Sequence, residues 1–305
     1  MAKILLNDPE AQLRNAYLCP HCSKFHLTSQ ESHVHKDLSE IKLSGKNLSG
    51  KILRKWDLSD ADLKDADLSQ AILAGANLTG ADLTGANLAR ADLTRANLTR
   101  ANLARANLTR ANLYEAHLDR ANLDEANLSG AQLTSAHFPS AHLTGADLKE
   151  ADLTEAKLTG AKLEGAFFTR AKLNKANFTG ATLIAANLAG AKLLGADFRN
   201  ANLVKADLKG AQCHEINPTH RNLRDPLFIS APFTSTNFAG ADLKDADLTG
   251  ANLTRTRFIS ANLTGADLKD ADLTGANLTG ANLTRADLTG TKLTRATMPN
   301  GKTHD

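Results

Sequence analysis

The sequence predicts an all-β solenoid built from one short repeated unit. Alanine stands at every fifth position from 61 to 211, 31 times without a break. A larger apolar side chain follows each alanine by two positions, and of the 53 such centres from Leu38 to Met298, 50 are Leu or Phe. Aromatic residues make up only 4% of the chain, so the apolar content is nearly all Ala and Leu, unlike the core of an ordinary globular domain.

A five-residue period fits neither regular structure. On an α-helix five residues advance roughly 500°, so successive leucines would drift around the axis and form no stripe. In a continuous strand five is odd, and the leucines would change faces at every repeat. Extended segments of about three residues joined by tight turns accommodate the period. In a unit such as Ala96-Asn97-Leu98-Thr99-Arg100, Ala and Leu then point inward and the Asn between them points out. The fourth and fifth residues form a corner, where Gly is frequent because it tolerates positive φ. Ala96, Leu98, Leu103, Leu123, Phe178 and Phe198 are expected in the interior ladder. The small alanine is needed because a narrow tube cannot hold two large side chains per segment.

The unit Ala-Asp/Asn-Leu-Thr/Ser-X, as in Ala81-Asp82-Leu83-Thr84-Gly85, resembles the A(D/N)LXX class of the pentapeptide-repeat family. The resemblance covers roughly residues 37–298. It implies a right-handed quadrilateral β-helix with four repeats per coil, hence about 13 coils and a rod on the order of 60 Å long. The expected organisation is an amino-terminal arm over 1–36, a β-helix over 37–300 and a polar tail over 301–305.

Three departures interrupt the array. Residues 1–36 lack the repeat and would cover the open end, because exposed β edges invite aggregation. In the first coils Lys36, Ile41, Lys46, Lys51 and Trp56 occupy alanine positions; Trp56 is expected to plug the end, and the lysines to leave the first coils splayed or partly solvated. Residues 212–237 contain Cys213, Pro218, Pro226 and Pro232, yet Leu223, Phe228, Phe233 and Phe238 keep the five-residue phase. This predicts a deformed coil with a bulging loop rather than a domain boundary. Ile184 and Val204, outward and one coil apart, offer that loop a small apolar ladder. From Met298 the chain ends in a polar stop without a capping helix, which makes the last coil a candidate homodimer contact.

Cys19, Cys22, His33 and His35 have the ingredients of a zinc site: two thiolates two residues apart and a nearby imidazole pair. The histidine spacing matches no standard finger, so a solvated arm with free thiols stays open beside it. Arg90, Arg95, Arg100, Arg105, Arg110 and Arg120 fall on consecutive sides of a four-sided coil and form a basic girdle, read as either surface solvation or a contact for an acidic partner. His117, His137 and His142 follow the outward Asp/Asn position instead of converging on a pocket, and no catalytic constellation or cofactor is expected.

Thirty-six basic residues against 33 acidic ones leave a formal charge of +3, too even for a nucleic-acid binder or an acidic mimic of DNA. Three cysteines do not make a secreted disulfide framework. No apolar run is long enough for a signal peptide core or a membrane span. A soluble cytoplasmic, bacterial-type protein is therefore expected, a non-enzymatic scaffold for an unknown protein partner. Resemblance implies a second reading, because some family members bind DNA gyrase, inhibit it or protect it from quinolones, and loops such as 212–237 matter in the protective ones. Those proteins resemble duplex DNA in width and negative charge. Here the side centred on Leu48, Leu68 and onward sums to −2, and the Leu53 side to +3. A zinc-dependent adaptor working through the arm is the third reading.

Overall fold

The computed structural model describes residues 37–213 and 236–305, together with the backbone of two short strands, β1 (Ala16–Cys19) and β2 (Lys24–Leu27). These two pair antiparallel, with Ala16 opposite Leu27 and Cys19 opposite Lys24. The rest of the described chain is a single stack of parallel rungs. Asn97 pairs with His117, Asn102 with Asn122 and Asn107 with Asn127. A rung therefore meets the one four repeats later, so that four repeats close a coil. The molecule is a right-handed quadrilateral β-helix. Its four sides are named here by their first centres: Leu38, Leu43, Leu48 and Leu53.

Each repeat satisfies its own backbone. The Leu98 N–H donates to His117 O (2.6 Å) and the Arg100 N–H to Asp119 O (2.9 Å), both in the next coil. The Asn102 N–H reaches back to Ala81 O (2.9 Å), and the Ala101 N–H closes a turn on Leu98 O (3.0 Å). That leaves the N–H of the fourth residue. The outward Asp or Asn accepts it two residues on, as Asp92 Oδ1 does from Thr94 N–H (3.1 Å) and Asn107 Oδ1 from Thr109 N–H (3.1 Å). Sequence reasoning placed this Asp/Asn outside but missed its role, which is to cap the turn's last donor. His117, Lys157 and Phe167 occupy the same site without a carboxylate or amide oxygen.

The fifth residue takes φ between 53° and 70° at every described corner from Glu40 to Arg295, Gly or not. With the Ala N–H to Leu O bond, this makes each corner a type II turn. At 28 corners the residue is not glycine, and each such residue costs roughly 1 kcal/mol of backbone strain. The ladder bonds on both flanks hold it there. A second corner rule appears where the residue is Asp or Asn. Asp60, Asp65, Asn200, Asp245 and Asp270 each lie beneath a glycine: Gly80, Gly85, Gly240, Gly265 and Gly290. Their side-chain oxygens fill the space a Cβ would take, at 2.6 Å for Asn200 against Gly240.

The interior is sealed. Ala96, Leu98, Leu103, Leu123, Phe178 and Phe198 are all 0% exposed, inside one continuous core that runs from Leu38 to Ala296. Trp56, which opens the second coil, is buried. The first coil is partly solvated, with Lys46 exposed and Ile41 and Leu43 half-buried. It is not splayed, however, since Leu38 N–H to Asp57 O (2.7 Å) and Leu48 N–H to Asp67 O (2.6 Å) are as short as any bond above them.

Of the deformed coil or bulging loop expected at 212–237, residues 214–235 lie outside the described residues. Asp197 pairs directly with Asn237 and Gln212 with Asn252. The interval there is eight repeats instead of four. The rod also shows no boundary at this seam. Phe178, Phe198, Phe238 and Phe258 stack along the Leu38 side at 4.7, 4.9 and 5.2 Å between centroids, straight across it. Thr236, at an alanine position, is fully buried and donates from Oγ1 to Leu193 O (2.5 Å). The described ladder thus holds 36 centres from Leu38 to Cys213 and 13 from Phe238 to Met298, about twelve coils. At the far end the tail turns back: Thr303 pairs antiparallel with Thr297, and Arg295 N–H donates to His304 O (2.9 Å). Leu283, Leu288 and Leu293 of the last coil remain half-buried.

Candidate interaction surfaces

A filled tube leaves only its outer side chains for chemistry. Three columns run up each side: the Asp/Asn site, the fourth residue and the corner. Summed over described residues, these columns carry −1 on the Leu38 side, −1 on Leu43, −2 on Leu48 and +4 on Leu53. The last exceeds the sequence-based +3 because Glu215 lies outside the described residues. No side presents a continuous field of one sign.

Charge is sorted along the axis instead. Over 57–85 six acids face one lysine, Lys64, for a net −5. Over 86–112 five arginines face one acid, Asp92, for +4, and over 113–125 four acids face Arg120, for −3. Bands this narrow, about one to two coils of ~4.8 Å each, cancel one another beyond a Debye length of about 8 Å.

All six girdle arginines are exposed corner residues with φ of 55–59°. Stacked corners of opposite charge pair across the coils, within the girdle and outside it: Arg95 Nε to Glu115 Oε2 at 2.6 Å, Lys175 Nζ to Glu155 Oε1 at 3.0 Å, and Arg170 to Glu150 at 4.0 Å. Arg90 beneath Arg110 and Arg100 beneath Arg120 break that pattern. Each sets like charge on like charge, and the two stacks occupy diagonally opposite corners at nearly one height.

Four large apolar side chains stand out on the surface: Ile52 (66% exposed), Phe167 (41%), Tyr114 (38%) and Ile184 (36%). Ile52 stacks on Ile72, and the Lys149 ammonium sits 5.0 Å above the Phe167 ring. Val204, half-buried, follows Ile184 in the next coil. The segment expected to fold onto this pair, 214–235, lies outside the described residues. His117 and His137 meet edge-on with centroids 4.7 Å apart. Burial, with Lys157 and His117 nearby, holds His137 below the usual imidazole value.

Cys213 is a fully buried free cysteine at the seam. Burial pushes its thiol up to about 12 despite the hydroxyls of Thr236 and Thr256, so it is no nucleophile. Of the proposed zinc ligands, Cys22, His33 and His35 lie outside the described residues, as does the Cys19 side chain; the Cys19 backbone closes β1. Among the described residues no group of three or more His, Cys, Asp or Glu side chains could hold a metal ion. No described helix is long and apolar enough to cross a membrane.

Comparison with known proteins accords with this geometry. No curated protein matches the chain. Among solved structures, the plasmid-mediated fluoroquinolone resistance protein QnrB1 is 18% identical with a TM-score of 0.50, over 57% of this chain and 92% of that one. HetL, involved in heterocyst differentiation regulation in the cyanobacterium Nostoc sp. strain PCC 7120, is 28% identical over 88% of this chain and 94% of its own, with a TM-score of 0.31. Rfr23 from the cyanobacterium Cyanothece 51142 is 26% identical over 45% of this chain and 86% of its own, with a TM-score of 0.19. The model of pentapeptide repeats matches residues 37–70, 61–100, 151–188, 181–212, 228–265 and 261–300. A pentapeptide repeat region model matches 91–168. Four repeats to a coil, an alanine and a leucine inside each, and these matches over most of its length make the chain a member of the pentapeptide-repeat family.

Proposed function

We propose that the chain is a non-enzymatic, cytoplasmic scaffold that binds a protein partner on the outer sides of its rod. The sealed interior carries this reading: among the described residues, the Ala and the Leu or Phe that fill the tube from Ala61 to Leu278 are at most 1% exposed. Function is then left to side chains presented at fixed spacing. Affinity capture from native cell extract, with the whole chain and with a chain lacking 1–36, tests it. The expected result is a stoichiometric protein partner retained by the folded rod and lost when Leu103→Lys disrupts it. Equal recovery on the disrupted rod would remove the basis of the proposal.

The likeness to QnrB1 keeps a topoisomerase reading in view, although at 18% identity it speaks for the fold alone. A mimic of DNA needs negative charge running along one side. Here the acids form transverse bands, and the Arg90–Arg120 belt would repel a basic DNA-binding saddle. The purified protein is therefore expected neither to inhibit gyrase supercoiling near a 1:1 ratio nor to protect against quinolone-stabilised cleavage. Stoichiometric inhibition, or protection lost on deleting 214–232, would promote this alternative.

A further inference from the structure

The arginine belt has a feature that solvation does not explain. At a corner, a long side chain leans onto the coil above it, as Arg110 does with its Cγ 3.3 Å from the site of a Cβ on Gly130. Arg95 meets Glu115 one coil above it, but the corner above Arg90 is Arg110 and the corner above Arg100 is Arg120. Like charges set directly opposite in neighbouring rungs are destabilising. Glycine would relieve both repulsion and backbone strain, and Gly75, Gly80 and Gly85 fill the three corners just before the belt. The Arg90–Arg110 stack is the cleaner of the two. Gln70 lies below it and Gly130 above, with Ala89, Asp92, Thr109 and Asn112 beside it, and Asp92 is the only acid over 86–112.

We propose, on the basis of the scaffold reading above, that this belt docks an acidic, extended polypeptide segment of the partner, laid across the rod. A carboxylate between two stacked guanidiniums would accept charge-assisted hydrogen bonds from both and relieve their repulsion. The belt spans only about 7 Å along the axis, one and a half coils, which suits the width of one extended chain. A nucleic-acid duplex is roughly 20 Å wide and would overlie the −5 band at 57–85 and the −3 band at 113–125. Those flanking acids also fix where an acidic chain can settle, because a shift of one coil in either direction meets repulsion.

The test uses the full-length protein and a fluorescein-labelled peptide of alternating glutamate and glycine, followed by anisotropy at low and physiological salt. Binding that weakens as salt rises is expected, with affinity reduced about tenfold or more in Arg90→Glu/Arg110→Glu. Arg100→Glu/Arg120→Glu should lose a comparable factor. Lys209→Glu/Lys244→Glu, an equal charge change outside the belt, should stay within about twofold. The neutral pair Arg90→Gln/Arg110→Gln, checked for an unchanged melting temperature, separates lost contact from misfolding. No peptide binding, or binding unaffected by the belt variants, overturns the proposal. So does short duplex DNA binding more tightly than the peptide through the same arginines. Capture of a partner from extract by the belt variants would show that the scaffold reading survives while this site does not.

Discussion

Two stretches of the rod look alike in space and differ in how far apart along the chain their facing rungs lie. Around Leu103 each rung meets its neighbour four repeats on; at the seam Phe198 meets Phe238, and the Phe198 N–H still reaches Asn237 O at 2.7 Å. Bond lengths, burial and corner φ values are the same in both. Stacking is therefore decided by complementarity between facing coils, and chain connectivity matters only in preserving which side each centre occupies. A segment equal to one whole coil meets that condition, and its added cost as a closed loop grows only with the logarithm of its length.

The sharpest break of this equivalence comes from a charge in the tube. Leu103→Lys in the regular stretch and Leu208→Lys beside the seam should each cost about 3–5 kcal/mol, enough to melt neighbouring coils, because an unpaired ammonium would be buried. Outward Thr109→Lys should stay within about 0.5 kcal/mol. Calorimetry or chemical denaturation distinguishes them, and a tolerant Leu208 would mean that the seam is open.

Removal of 214–233 leaves Ala211-Gln212-Cys213-Thr234-Ser235 as an unbroken repeat ahead of Thr236. The shortened rod should keep its circular dichroism and gain up to about 2 kcal/mol from the smaller closure entropy. Cys213 should resist alkylation in both forms until denaturant is added. A reactive Cys213 in the deleted chain would show that the two halves do not stack directly.

Glycine corners give a finer comparison. Gly85→Ala and Gly240→Ala would both strain the backbone and displace an Asp65 or Asn200 oxygen. Each should cost about 0.5–1.5 kcal/mol more than Gly165→Ala, which meets nothing within 4 Å. A Gly240→Ala cost matching Gly165→Ala would mean that Asn200 does not lie beneath it.

The smallest effect is a titration. His137 is held below its ordinary pKa of about 6.5, so the unfolded chain takes up more protons there. Its contribution to stability is then present above pH 6.5 and declines as pH falls through that value. Lys157→Asn should raise the His137 pKa in an NMR titration, and no change would mean that the two side chains do not interact.

Most of the rod was legible in residue order. The inside–outside assignment of Ala96, Leu98 and Leu103 followed from a period that only a short-segment solenoid satisfies. The seam was not, because Leu223, Phe228 and Phe233 keep the five-residue phase, and phase alone does not say that Asp197 pairs with Asn237. A usable cue existed in the corners. Asn200 needs a glycine above it; His220 stands four repeats on, and Gly240 stands eight repeats on. Capping by Asp and Asn was missed for another reason: their exposure looked sufficient to explain their polarity. The basic girdle was legible, but the acidic bands that flank it were not, because along any one side opposite bands cancel.

The aligned phenylalanines also set the increment by which such a rod can lengthen. Phe178 and Phe198 face Phe238 and Phe258 across an interval of eight repeats, a whole number of four-repeat revolutions. An insertion of one five-residue unit would turn everything above it by a quarter, carrying the upper rings to another wall and re-indexing every outward column against the columns below. Growth by a full revolution leaves the outer pattern in alignment, whereas growth by one unit writes a different surface while sparing the core. A rod of this kind can thus acquire a new binding face through a frame-preserving duplication of a single unit, with no interior residue replaced.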